Sequence, residues 1–203
     1  STAPGNAKVA GSTYTVTATG GASGNSVTFT SSTSGICSVS SGVVSFLAVG
    51  TCTIAANQAG DSTYAAATQT TQSFTVAKGD QTQPNAPNLT YTPGVLKSLN
   101  VSWTALSTAS SYTVKIYDAA GTTLIKTVTG LSGTSTTILD TTNFANDTSY
   151  TASVIAVGGS NYNDSTESSL STASKTAKSY SITYNTNSPT GGTAPTSGTY
   201  ITG

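Results

Sequence analysis

Apolar and polar residues alternate with a period of two along most of this chain. Tyr14-Thr-Val16-Thr-Ala18, Val27-Thr-Phe29-Thr30, Val44-Ser-Phe46, Cys52-Thr-Ile54-Ala55 and Ser73-Phe74-Thr-Val76 each send side chains to opposite faces of an extended strand. Gly20-Gly21, Gly24-Asn25, Ser41-Gly42 and Ala59-Gly60-Asp61 separate them, residue types that accept turn conformations at little steric cost. A second series follows: Leu99-Asn-Val101-Ser-Trp103, Tyr112-Thr-Val114-Lys-Ile116, Leu124-Ile125-Lys-Thr-Val128, Thr137-Ile138-Leu139 and Tyr150-Thr-Ala152-Ser-Val154-Ile155-Ala156-Val157. Short strands with such breaks and almost no helical period predict an all-β chain of tandem sandwiches. Thr is used heavily because its β-branch suits a strand while its hydroxyl suits the wet face.

The stretch Lys78-Gly-Asp-Gln-Thr-Gln-Pro84-Asn-Ala-Pro87 interrupts the alternation. Its prolines remove ladder donors and stiffen the backbone, as expected of a short linker. After Lys178 a third unit opens with Tyr180-Ser-Ile182-Thr-Tyr184 and gives way to Asn, Pro, Gly and Thr. The expected division is residues 1–80, a linker at 81–87, residues 88–178, and an incomplete β unit at 179–203.

Composition narrows the chemistry. The 203 residues include no His, no Arg, no Met and a single Glu; charged residues make up 7%, against roughly a quarter in an average soluble domain. Seven Lys balance six Asp and one Glu, so the chain has no basic footprint for nucleic acid. No apolar run approaches the roughly 18 residues of a membrane helix. Cys37 and Cys52 sit in strand-like contexts, unlike the CxxC clusters of zinc sites, and no His could complete such a site. A disulfide is expected, which places the chain in an oxidising, extracytoplasmic setting; two buried thiols are the competing assignment.

Residues 1–80 resemble a bacterial immunoglobulin-like repeat of the kind found in tandem arrays on secreted and surface proteins. The resemblance rests on Tyr14-Thr-Val-Thr-Ala-Thr, Val27-Thr-Phe-Thr-Ser-Ser, Gly35-Ile-Cys37-Ser-Val, Gly50-Thr-Cys52-Thr-Ile-Ala-Ala-Asn-Gln-Ala-Gly-Asp61-Ser-Thr-Tyr64, and Gln72-Ser-Phe-Thr-Val-Ala-Lys-Gly79. Such repeats start with an apolar strand ahead of a Ser-Thr-Ala-Pro segment. The resemblance therefore implies a sheet edge that takes an upstream segment or a strand from a neighbouring subunit. Residues 88–178, with Pro84 and Pro87 before them, resemble a fibronectin type III domain, through Leu99-Asn-Val-Ser-Trp103, Tyr112-Thr-Val114, Leu139 and Thr148-Ser-Tyr150-Thr-Ala-Ser-Val154. In that family a leucine and a tyrosine hydroxyl fix the corner before the sixth strand, which assigns Leu139 and Tyr150 to this role. Tyr64, Trp103 and Tyr112 join them as expected core residues. Residues 179–203 resemble the opening of an internalin B-repeat-like β-grasp unit, through Ile182-Thr-Tyr184-Asn-Thr-Asn and Thr190-Gly-Gly-Thr-Ala-Pro195-Thr.

Few side chains invite a catalytic role. Asp164 with Glu167, and Asp140 with Asp147, are carboxylate pairs of the kind used for glycoside hydrolysis or calcium binding, but solvated loop charges are the expectation. Asp61 is expected to form a turn by accepting hydrogen bonds from nearby amides. Ser has no His to activate it, and no Gly-x-Ser-x-Gly elbow is present. Tyr150 and Tyr162 could pair as a sugar platform; the expectation instead is a structural Tyr150 with Tyr162 at a loop tip. An intramolecular Lys–Asn isopeptide bond would need a buried Lys, whereas alternation puts Lys115 and Lys126 on the solvent face. The sequons at Asn88, Asn100, Asn146 and Asn163 are expected by chance in so Ser/Thr-rich a chain.

No enzyme activity, cofactor or metal is expected. The functional expectation is a segment of a large extracellular bacterial surface protein or fibre, whose modules act as spacers for a distal binding region. Its partners would be neighbouring domains of the same polypeptide, and a cell-surface or glycan ligand. The alternatives are an accessory region of a secreted polysaccharide-degrading enzyme, and a glycan- or protein-binding module in its own right.

Overall fold

The computed structural model describes residues 1–182 and 196–202, and every regular element among them is a β-strand. Most of the β-grasp resemblance, at 183–187 and 190–195, lies outside the described residues. The chain divides into two compact units, Ser1–Gln81 with Gly158–Asn163, and Thr82–Val157 with Asp164–Gly203.

The first unit holds β1 (Tyr14–Thr15), β2 (Val27–Ser31), β3 (Cys37–Ser40), β4 (Val43–Phe46), β5 (Gly50–Gln58) and β6 (Thr70–Val76). They form two antiparallel sheets, ordered β1-β4-β3 and β2-β5-β6. The period-two pattern turns Val44 and Phe46 of one sheet toward Ile54, Phe74 and Val76 of the other. Tyr14 and Phe46 both meet the Phe74 ring edge-on, at centroid distances of 5.9 and 6.0 Å. Cys37 on β3 and Cys52 on β5 are fully buried and joined by a disulfide, with Cα atoms 5.7 Å apart. The bond therefore ties one sheet to the other. Ala7 and Val9, also buried, flank Lys8 in a parallel bridge to Ala77.

The strand expected over Tyr14–Ala18 is shorter, because its partner runs out. β4 begins at Val43, just after the turn at Ser41 and Gly42, both with positive φ, so pairing beyond Thr15 reduces to one bond from Val16 N–H to the Gly42 carbonyl (2.8 Å).

The second unit is a sandwich of three and four strands. β7 (Asn88–Tyr91), β8 (Ser98–Ser102) and β11 (Ser135–Leu139) form the sheet β11-β8-β7; β9 (Ala109–Asp118), β10 (Leu124–Leu131), β12 (Ser149–Gly158) and β13 (Ser174–Lys175) form β10-β9-β12-β13. β14 (Lys178–Ile182) and β15 (Gly198–Thr202) pair as a separate hairpin. The sandwich has an immunoglobulin-like arrangement. Leu99, Val101, Trp103, Val114, Ile116 and Val154 lie in its core. The Trp103 and Tyr112 rings sit 5.4 Å apart, and the Tyr112 hydroxyl accepts the Leu106 N–H at 2.7 Å. Tyr150 is buried, and its hydroxyl accepts the Ala145 N–H at 2.8 Å, fixing the corner that enters β12.

Two residues expected in the cores lie on the surface instead. Leu139 is 57% exposed, because alternation along β11 turns Ile138 inward and its neighbour outward; Phe144, 1% exposed, packs on Tyr150 at 4.9 Å. Tyr64 is 49% exposed, on a loop beyond β5 that Asp61 organises from below.

Reducing Cys37–Cys52, or replacing both cysteines by alanine, is expected to cost the first unit about 3 kcal/mol, the loop-closure value for 15 residues. Denaturation followed by circular dichroism checks this, while Trp103 fluorescence, which reports the second unit alone, should show an unchanged midpoint.

Candidate functional site

Buried polar side chains gather along β12 in the second unit: Thr151, Ser153, Ser165, Ser168 and Ser171. This strand's inward residues, Ala152, Val154 and Ala156, are fully buried, yet regular pairing on its outer edge covers only Ser149 and Tyr150. A buried strand edge must find partners for its amides and carbonyls. Here Ser165, Ser168 and Ser171 supply them. The Ser165 N–H donates to the Ala156 carbonyl while its Oγ accepts the Ala156 N–H, both at 2.9 Å. Ser168 does the same for Val154 (2.9 and 3.0 Å), and Ser171 for Ala152 (2.8 and 2.9 Å). Each serine thus closes both groups of one β12 residue, and residues three apart on one segment serve residues two apart on the other. The Ser165 and Ser168 hydroxyls donate in turn to the carbonyls of Thr166 and Ser169.

Glu167 pins this segment to the sheet. Its carboxylate accepts hydrogen bonds from Lys115 Nζ (2.6 Å), Tyr117 Oη (2.6 Å) and Ser153 Oγ, which stand on β9 and β12. Burial pushes the Glu167 carboxyl up, but the bonds from Lys115, Ser153 and Tyr117 outweigh it and hold the group below the ordinary carboxylate value. The same contact raises Lys115, and burial together with Glu167 raises Tyr117. Glu167 is therefore no solvated loop charge, and Lys115, though it faces away from the core, is only 27% exposed beneath it. The chain's one glutamate is spent on closing a sheet edge.

Asp140 departs from the expectation in the same way. Its side chain is 5% exposed; it accepts the Thr142 and Asn143 N–H groups at 3.0 and 2.9 Å and pairs with Lys126 at 2.9 Å. The bonds from Asn143 and Lys126 hold its carboxyl well below the usual range. Asp147 has other partners, Lys175 at 3.2 Å and Lys178 at 3.7 Å, so these two aspartates form no joint site. Asp61 accepts the Thr63 and Tyr64 N–H groups at 2.8 and 2.7 Å, a turn-forming role. Asp118 closes the β9–β10 turn through the Thr122 and Thr123 amides, which lower its pKa to about 2. Tyr150 is buried in the core of the second unit, the structural role expected of it, whereas Tyr162 packs against the core of the first. Among the described residues no group of three or more Cys, Asp or Glu gathers as a metal site would require.

Sequence reasoning missed the serine ladder. Its signal is the spacing Ser165-x-x-Ser168-x-x-Ser171, hidden in a chain where serine is common.

No protein-family model and no curated protein matches the chain. Among solved structures, a Fn3-like protein from Clostridium thermocellum aligns over 46% of this chain and 90% of its own, at 23% identity and a TM-score of 0.38. A two-domain fibronectin type III segment of chicken tenascin aligns over 70% and 78%, at 19% identity and a TM-score of 0.39. The BSP domain of a biofilm-associated protein aligns over 74% of this chain but 24% of its own, at 20% identity and a TM-score of 0.33.

Ser168→Ala leaves the buried Val154 N–H without its acceptor and is expected to destabilise the second unit by about 1–3 kcal/mol. Ser168→Thr, which keeps the hydroxyl, should cost less; denaturant titration read by Trp103 fluorescence compares the two.

Glu167 and Asp140 both have depressed values in the folded state. Their contribution is thus complete above the ordinary carboxylate range and lost as pH falls through their lowered folded values. Denaturation midpoints of the second unit should decline below about pH 4, and more gently in Asp140→Asn. Equal slopes for the two proteins would contradict the assignment.

Proposed function

We propose that this chain is a structural segment of an extracellular bacterial surface protein, its modules serving as spacers that carry a distal binding region. The observation that carries this reading is how the ionisable and hydroxyl side chains are used. Asp140, Asp118, Asp61 and the three ladder serines each hold backbone in place, and Glu167 ties the serine segment to Lys115, Tyr117 and Ser153, so the polar chemistry is directed at persistence of the fold. The buried Cys37–Cys52 bond fits an oxidising compartment. The resemblance of residues 1–80 to surface-protein repeats and of 88–178 to fibronectin type III domains adds the bacterial surface to this reading. The partners are then neighbouring domains of the same polypeptide.

The test exchanges this segment, in the full-length protein on the cell, for unrelated sandwich domains of equal number. A spacer predicts that adhesion is retained after exchange and falls when the segment is simply deleted. Loss of adhesion after a length-matched exchange would instead indicate a binding module. Polysaccharide hydrolysis by the full-length protein would point to an accessory region of an enzyme.

A further inference from the structure

All four strand pairs of the first unit run antiparallel. The chain that leaves β6 departs from this twice. Ala77 lies in parallel register with Lys8, and Gly79 in parallel register with Tyr162, on the Gly158–Asn163 segment of the same unit. On one side the Ala77 N–H donates to the Ala7 carbonyl at 2.9 Å, and the Val9 N–H donates to the Ala77 carbonyl at 3.0 Å. On the other the Gly79 N–H donates to the Asn161 carbonyl at 2.9 Å, and the Asn163 N–H donates to the Gly79 carbonyl at 2.8 Å. Four backbone bonds thus hold the exit chain between Ala77 and Gly79.

Both flanking segments are anchored within the unit. Ala7 and Val9 are buried in its core, and Tyr162 packs against the same core. Asn161 Oδ1 accepts the Val49 N–H at 3.1 Å, which ties its segment to the residue before β5. Side chains close the outside: Lys8 pairs with Asp80, Asn163 Nδ2 donates to Asp80 at 3.2 Å, and Lys78 Nζ donates to the Gly159 carbonyl at 3.0 Å. Exposed contacts of that kind add little by themselves, so the backbone bonds carry the grip. Gly79 lets the two segments come this close. A Cβ there would stand 2.4 Å from the Val9 carbonyl oxygen and 3.0 Å from the Tyr162 ring.

We propose that this arrangement is a load-bearing clasp, through which the first unit carries tension along the chain without opening. Tension entering ahead of Ala7 draws that segment backward along its own axis, while tension leaving beyond Asp80 draws residues 77–79 forward. Because the two segments are parallel, these pulls oppose each other along the strand direction. The bonds between them lie across that direction and are sheared together. Antiparallel segments would be pulled at one end only, and their bonds would open one at a time. Nor can Gly79 slide forward without breaking its bonds to Asn161 and Asn163. The core behind the clasp is therefore spared until all of these bonds fail. The source of the tension rests on the spacer reading. The clasp itself does not, so loss of adhesion after the exchange of segments would leave the pulling result below untouched.

The test pulls the 203-residue chain from its two ends at constant force and times the opening of the first unit in molecules whose second unit is still folded. That event identifies itself: the closed Cys37–Cys52 loop withholds 15 residues, so reduction lengthens its step by about 50 Å. Ala77→Pro removes the amide that donates to Ala7, and Asn163→Pro the one that donates to Gly79. Each is expected to speed opening under load by at least ~5-fold. Val39→Ala, on β3 and outside the clasp, is expected to lower the thermal midpoint of the first unit while changing that rate by less than ~2-fold. Gly79→Ala, which wedges a methyl between the two segments, is expected to speed opening as the prolines do, and replaces either proline variant that circular dichroism shows to be unfolded. Equal acceleration by Val39→Ala and the clasp variants, or an unchanged rate in the clasp variants, would overturn the proposal.

Discussion

Every backbone amide and carbonyl removed from water must be paired, and strands alone do not meet that demand here. The outer edge of β12 shows the problem most plainly. Its core residues are completely buried, so its polar backbone has no access to solvent, yet the regular strand beside it is two residues long. Three serines answer with main chain and hydroxyl together, and Glu167 locks the segment that carries them onto Lys115 and Tyr117 of β9. A side-chain oxygen thus stands in for a carbonyl at each rung. Hydroxyl-rich composition and sheet closure are one fact seen from two sides.

The first unit meets the same demand with fewer large side chains. Its core relies on Phe46, Phe74 and a set of Val, Ala and Ile residues, and the opposing sheets overlap over only part of their length. A cross-link between β3 and β5, in the region of overlap, limits the separations that the unfolded chain can explore. At the far end of β5 the Gln58 amide ties the strand to the preceding loop, accepting the Gly21 N–H and donating to the Asn25 carbonyl.

The alternating pattern made the strands legible, because side-chain direction in an extended chain depends only on local sequence. It could not tell which of two adjacent apolar residues faces inward once a loop intervenes. Ile138 and Leu139 are equally apolar, and the register of β11 on β8 turns only the first toward the core. Nor could alternation show that a strand lacks a partner, as happens after Thr15. Glu167 and Asp140 read as loop charges because their lysine partners lie 52 and 14 residues away in sequence. Tertiary folding brings those groups together, and no local pattern encodes that meeting. The cysteine pair was legible for the opposite reason: two buried sulfur atoms with few other chemical options narrow the choice sharply.

Scarcity of charge gives the few ionic groups unusual weight. In a surface crowded with lysines and glutamates, one exposed ion pair contributes little, since water and salt screen it. Asp140 works under different conditions: its carboxylate is nearly enclosed, receives two backbone amides, and meets Lys126 from the adjacent sheet. Removing it would leave the Thr142 and Asn143 amides short of an acceptor, beyond the loss of a salt bridge. Asp61, Asp118 and Asp140 thus each stand where backbone amides need an acceptor, whereas Glu167 and Asp147 meet side-chain donors. At those three aspartates the carboxylate therefore constrains the chain locally, by fixing the amides that follow it.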